Sequence, residues 1–278
     1  MTTLALVILL WIGSLLAGLL GALTGLGGGV VVVPLLVVGF GVDIRYAMGA
    51  SLISVIATSS GAAAAYVKEG FSNIRIGMFL EMATTAGALA GAFLAVRLHT
   101  ATIAVIFGFV LLASAIVSTR KSAEPPADEK PDALAARLRL DGDYPALTGR
   151  RSYHVRRVPA GFAVMFGAGT LSGLLGIGSG AFKVIAMDQV MKIPFKVSTT
   201  TSNFMIGVTA AASAGIYLRR GFIDPGLAMP VVLGVLLGSV IGTRVLMRAK
   251  TAWLRVVFNV VICALGIEMI YGGLTGKF

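Results

Sequence analysis

The sequence predicts an all-α integral membrane protein built from two homologous halves, the simplest architecture that three observations allow together. Of the 278 residues, 57% are apolar and only 13% are charged, whereas a soluble domain carries about 25% charged residues. Long apolar runs recur along the chain. The sequence also matches itself when displaced by 151 residues.

The apolar runs lie at 4–23, 47–67, 76–96, 101–118, 160–175, 204–218, 227–243 and 256–272. Each approaches the roughly 20 residues that cross about 30 Å of hydrocarbon as a helix. The alternation of a β-barrel is absent, and the mean hydropathy is +0.92. The net charge of +11 sits in short loops and one polar segment, as the positive-inside rule expects, so no nucleic-acid partner is predicted. Cys263 is the one cysteine, and His99 and His154 are far apart. Neither a disulfide framework nor a metal site follows, and no cofactor is expected. The leading "MTT" lacks the positive charge of a signal peptide, so the first run is read as a span.

At the 151-residue displacement, Gly25, Gly27 and Gly29 fall on Gly176, Gly178 and Gly180, and Ser51 falls on Ser202. Tyr66 falls on Tyr217, Arg97 on Arg248, and Gly87 and Gly91 on Gly238 and Gly242. Aligned Tyr, Arg and Gly residues point to internal duplication, a common construction in transporters. The domains are then a first membrane repeat at 1–118, a polar cytoplasmic linker at 119–158 and a second membrane repeat at 159–278. The linker holds nine Lys/Arg and six Asp/Glu; "DALAARLRL" suits a short surface helix, and the remainder reads as connecting chain.

With the linker inside, an inverted second half places Lys68, Arg75, Lys192, Lys196, Arg248, Lys250 and Arg255 inside. It leaves Arg45, Arg97, Arg219, Arg220 and Lys277 outside. A parallel second half gives the poorer split, so inversion is favoured. Both chain ends are then extracytoplasmic.

"GLGGGVVVVP" at 25–34 introduces a short apolar run at 30–40, and "GIGSG" at 176–180 introduces another at 181–191. Eleven helical residues span about 16 Å, half the hydrocarbon core. A glycine-led half-helix permits close backbone approach and points N–H groups at a small anion. Gly25, Gly27, Gly28, Gly29, Gly176, Gly178, Ser179 and Gly180 are therefore candidate substrate ligands. Scattered glycines such as Gly87 and Gly91 are read as helix-packing residues.

"STTTSN" at 198–203 opens a later span, and Thr201, Ser202 and Asn203, with Ser51 in the first half, are candidate cavity-lining groups. Intramembrane charges mark further candidates. Lys183, whose counterpart is Val32, is either an anion ligand or a snorkelling side chain. Glu81 is either a proton carrier or an interfacial residue. Glu268 has no evident partner.

The segments "GLLGALTGLGGGVVVVPLL" and "SGLLGIGSGAFKVIAMD", followed by "PFKVSTTTSNFMIG", resemble the TauE/SafE family of membrane transporters, with its paired Gly-rich motifs. Ser179 stands where the family often has glycine, Ile185 where it often has proline, and Ala50-Ser51 where the first half would carry Thr-Ser. The resemblance implies export of sulfite or an organosulfonate. The expected protein is a ten-segment transporter in the bacterial inner membrane, with a small oxyanion as substrate, the lipid bilayer as its setting and a homodimer as an option. An uncoupled anion channel and a non-transporting membrane partner protein are the alternatives; no catalytic constellation is visible.

Overall fold

The computed structural model of the protein describes residues 3–24, 28–68, 72–118, 132–146, 149–248 and 251–277. In the first half, α1 (Thr3–Thr24) is followed by α2 (Gly29–Pro34), which continues as a π-helical stretch, Leu35–Gly39. Then come α3 (Ile44–Lys68), α4 (Ile74–Arg97) and α5 (Thr100–Ser118). The second half contains α7 (Val158–Leu175), α8 (Gly180–Ile185) with its π-helical continuation Ala186–Val190, α9 (Phe195–Arg219), α10 (Pro225–Arg248) and α11 (Thr251–Leu274). From α2 through α4, each element recurs from α8 through α10 with both bounds displaced by 151 residues. Among the described residues, four helices, α1, α4, α7 and α10, contain stretches long and apolar enough to cross a membrane. Leu4, Phe109, Val260 and Leu274 are among many large apolar side chains left on the outside, as lipid-facing surfaces require.

Small residues bring the helices together. A methyl on Gly87 would meet the Phe166 carbonyl oxygen, and one on Gly173 would meet that of Ala88. The α4 and α7 backbones therefore approach through glycine, the usual means of close packing where lipid supplies no hydrophobic drive. Thr84 lies beside Gly169 and Ala88 beside Gly173, so these two helices run in the same direction. In the equivalent pair, Leu15 meets Gly234 and Leu19 meets Gly238, and α1 and α10 also run together. By contrast, α3 and α9 are antiparallel: Met48 lies against Tyr217, while Ser59 lies against Gly207. So are α5 and α11, where Gly108 meets Gly266 and Val105 meets Gly273.

Residues 132–157 depart from the expectation of connecting chain. The short helix α6 (Ala133–Arg137) lies within "DALAARLRL", but a β-hairpin of β1 (Gly142–Ala146) and β2 (Gly149–Tyr153) follows it. Ala135, Leu140, Tyr153 and Val155 are buried in one cluster with Ile76, Leu80, Met187 and Val197. Asn73 Nδ2 donates to the Tyr153 hydroxyl at 2.8 Å and to the Leu140 carbonyl at 3.3 Å. Burial pushes the Tyr153 phenol up to about 12, so it stays neutral at physiological pH and accepts the Asn73 bond throughout. Periodicity missed this unit because its apolar residues are sparse and fold onto the bundle.

Candidate functional site

Both short helices begin against the middle portions of longer ones. Gly28 abuts Gly18 and Val235, and Gly29 lies against Ser51 and Val55. Gly18 is six residues before the end of α1, about 9 Å along a helix axis. Gly28 thus lies alongside α1 rather than beyond its end, which reconciles a full-length α1 with a recessed start for α2. Gly25 and Gly27 lie outside the described residues.

The second loop has three left-handed positions. Gly176, Gly178 and Ser179 have φ values of +68°, +69° and +43°. Glycine adopts this conformation freely, but a side chain makes it costly, so Ser179 is held there by its surroundings. Gly178 lies against Ile206 and Val55. Ser51 Oγ donates to the Gly176 carbonyl at 2.7 Å and has a longer contact with the Gly29 carbonyl at 3.4 Å. One serine thereby joins the two loop regions. In the equivalent place, Ser202 Oγ donates to the Gly180 carbonyl at 3.2 Å.

The polar run at 198–203 divides between several tasks. Ser198 donates to Ile193, Thr199 to Phe195 and Thr200 to Lys196, all at backbone carbonyls. These bonds locally satisfy hydroxyls near the helix start. Thr201 Oγ1 accepts the Asn73 amide at 3.1 Å, and Asn203 is half-buried. Consecutive residues point around a helix, so this run does not form one lining surface.

Lys183 is completely buried, one turn into α8, and does not snorkel. Its Nζ donates to Thr209 Oγ1 at 2.5 Å. Thr209 Oγ1 donates to Glu81 Oε1 at 2.6 Å, and Thr85 Oγ1 reaches the same oxygen at 3.1 Å. Glu81 is 8% exposed, and its Oε2 has no hydrogen-bond partner among the described residues. Ser179 Oγ is likewise buried without a partner. The chain ammonium–hydroxyl–carboxylate links α8, α9 and α4. It leaves spare donors near the loop and a spare acceptor on Glu81.

Thr209 was not singled out by the consecutive polar run. Its signal is a stripe: Ser198, Ser202, Thr209 and Ser213 are all buried, at separations that share a helix face. Glu268 also gains a partner, since Lys277 Nζ lies 3.3 Å from Oε1. A separate cleft of about 280 Å³ lies between the start of α4 and the hairpin, lined by Ser72, Asn73, Arg75, Arg139, Asp141 and Tyr153 among others. It does not include Lys183. Among the described residues, no His/Cys/Asp/Glu group is arranged to hold a metal.

A multi-pass helical bundle with interrupted helices and a buried ionisable chain at their root defines a membrane transporter class. The chain belongs to the sulfite exporter TauE/SafE family, whose model matches residues 10–269. It is 27% identical over 274 residues to the probable membrane transporter protein YunE of Bacillus subtilis, covering 96% of this chain and 98% of that protein. It is 28% identical over 235 residues to the probable membrane transporter protein YdhB of the same organism, covering 82% and 86%. A probable membrane transporter protein of Methanocaldococcus jannaschii, MJ0441, is 24% identical over 277 residues, with 94% of each chain covered. No solved structure matches.

Proposed function

We propose that the protein moves a small oxyanion, sulfite or an organosulfonate, outward across the bacterial inner membrane. Lys183 carries this reading: it is a fully buried cation beside the second glycine loop, with one hydrogen-bond partner among the described residues. An ammonium has three donors, and an oxyanion supplies acceptors and the opposite charge. Gly178, Ser179 and Gly180 offer further donors, while Ser51 and Ser202 brace the loop carbonyls. Gly29 and Gly176 then shape the approach of the first and second loops.

Inverted halves give this site alternating access. Helices α3 and α9 occupy equivalent places yet run antiparallel, as do α5 and α11. A two-fold axis in the membrane plane produces that relation, whereas an axis along the membrane normal makes counterparts parallel. Rocking one half against the other then exposes the same site to either side.

Purified protein tested against sulfite, several sulfonates, sulfate and phosphate should be selectively stabilised to heat by a transported anion. At a concentration one hundred times Kd, binding contributes about 2.7 kcal/mol. Proteoliposomes should then release the stabilising anion. The absence of both stabilisation and movement for every oxyanion in the panel would overturn the proposed function.

A further inference from the structure

We propose that Glu81 and the transported anion compete for Lys183, so that protonation of Glu81 is required for a monovalent oxyanion to bind. This rests on the transport reading above and adds a coupling ion and a charge preference to it. In the structure the contest is mediated by one hydroxyl. Thr209 Oγ1 accepts from Lys183 Nζ at 2.5 Å and has a single hydrogen, for which two acceptors lie in reach: Glu81 Oε1 at 2.6 Å and the Met205 carbonyl at 2.9 Å. With Glu81 ionised, the hydroxyl points to the carboxylate and links the two charges. A proton arriving at the unpartnered Oε2 forms an O–H bond there and neutralises the carboxyl. The weakened Oε1 acceptor releases the Thr209 hydrogen to Met205, and Lys183 is left with a charge to be answered.

Electroneutrality makes the coupling strict. Lys183 with ionised Glu81 has no net charge. Adding an anion alone gives a buried negative charge, and adding a proton alone gives a buried positive charge, both strongly penalised. Adding both restores neutrality. A divalent anion leaves one negative charge even after protonation, so the site favours monovalent ions.

Among the described residues, the other titratable groups on these helices are set along the helix axes from the Lys183–Thr209–Glu81 chain. Along its length α7 carries no titratable side chain. On α9, Lys196, Tyr217 and Arg219 stand at least eight residues from Thr209, about 12 Å or more along the axis. Asp188 is five residues beyond Lys183 on the continuation of α8. On α4, Arg75 and Arg97 lie six and sixteen residues from Glu81. Thr84 and Thr85, from Glu81's own helix, are neutral.

Each outward monoanion is accordingly accompanied by one proton. The movement carries no net charge, follows the anion's own gradient and is opposed by an acidic exterior. The test uses proteoliposomes loaded separately with labelled sulfite and labelled methanesulfonate, the latter a monoanion that does not titrate. Wild-type methanesulfonate efflux should rise as the exterior is made alkaline, export one proton per anion and ignore an imposed membrane potential. Glu81→Gln holds the site in its neutral-carboxyl form. Its anion exchange should survive without pH dependence, while net efflux falls about tenfold or more because the empty site is left charged. Failure of both anions to move in the wild type overturns the transport reading itself. Movement without protons, or equal net efflux in wild type and a folded Glu81→Gln, overturns the coupling alone. The wild-type proton count decides the matter if the variant does not fold.

Discussion

Lys183, Thr209 and Glu81 have Val32, Thr58 and Val232 as their counterparts at the 151-residue displacement. Each half therefore holds a hydroxyl at this position, Thr58 in the first and Thr209 in the second, whereas Lys183 and Glu81, one from each half, have only valine counterparts. That asymmetry makes an energetic prediction. Removing one member of a buried ion pair leaves the other charge uncompensated and costs about 3–5 kcal/mol, whereas replacing both with neutral groups is much less costly. Lys183→Met should lower the melting temperature in detergent, and adding Glu81→Gln should recover most of the loss. Anion stabilisation should be absent from both variants, since neither has the ammonium. Full anion stabilisation of a folded Lys183→Met protein would remove Lys183 from the binding role. The charge asymmetry was legible in the sequence, but the partnership was not, because Thr209 and Glu81 lie on different helices and 128 residues apart.

At the scale of elements, the two short apolar runs were legible from length and flanking glycine. The recessed start of α2 required the contact of Gly28 with Gly18, which a linear pattern does not contain. The hairpin at 142–153 was hidden for another reason: Tyr153 is buried only through packing against the bundle and bonding to Asn73. Glycines likewise share a composition but differ in place. Gly173 on α7 faces the α4 backbone, whereas a methyl on Gly167 of the same helix meets nothing within 4 Å. Gly173→Ala should therefore force α4 and α7 apart and destabilise by about 1–3 kcal/mol, the usual scale of overpacking. Gly167→Ala should be neutral or stabilising by about 0.5–1 kcal/mol through helix propensity. Melting temperatures measured in one detergent would check the contrast; equal effects would reject glycine-mediated packing at α4–α7.

For the whole molecule, chain direction joins the broken helices to topology. If α1 runs toward the linker side, α2 returns through part of the bundle and α3 runs toward that side again. Helix α4 then leads away and α5 returns to the linker. The second half reverses these directions, as expected from α4 running with α7 and α1 with α10. Arg156 N donates to the Met191 carbonyl at 3.0 Å, placing the end of the α8 continuation beside the linker and its glycine end farther into the bundle. Lys183 is eight residues from Met191, about 12 Å along a helix, so its charge is set back from that face. This path leaves both chain ends on the side opposite the linker. A reporter fused after Phe278 should therefore give an extracytoplasmic signal, and one inserted in the linker at 122–130 a cytoplasmic signal. Both reporters on the same side would break the odd crossing number of the second half and, with it, the inverted arrangement proposed for alternating access.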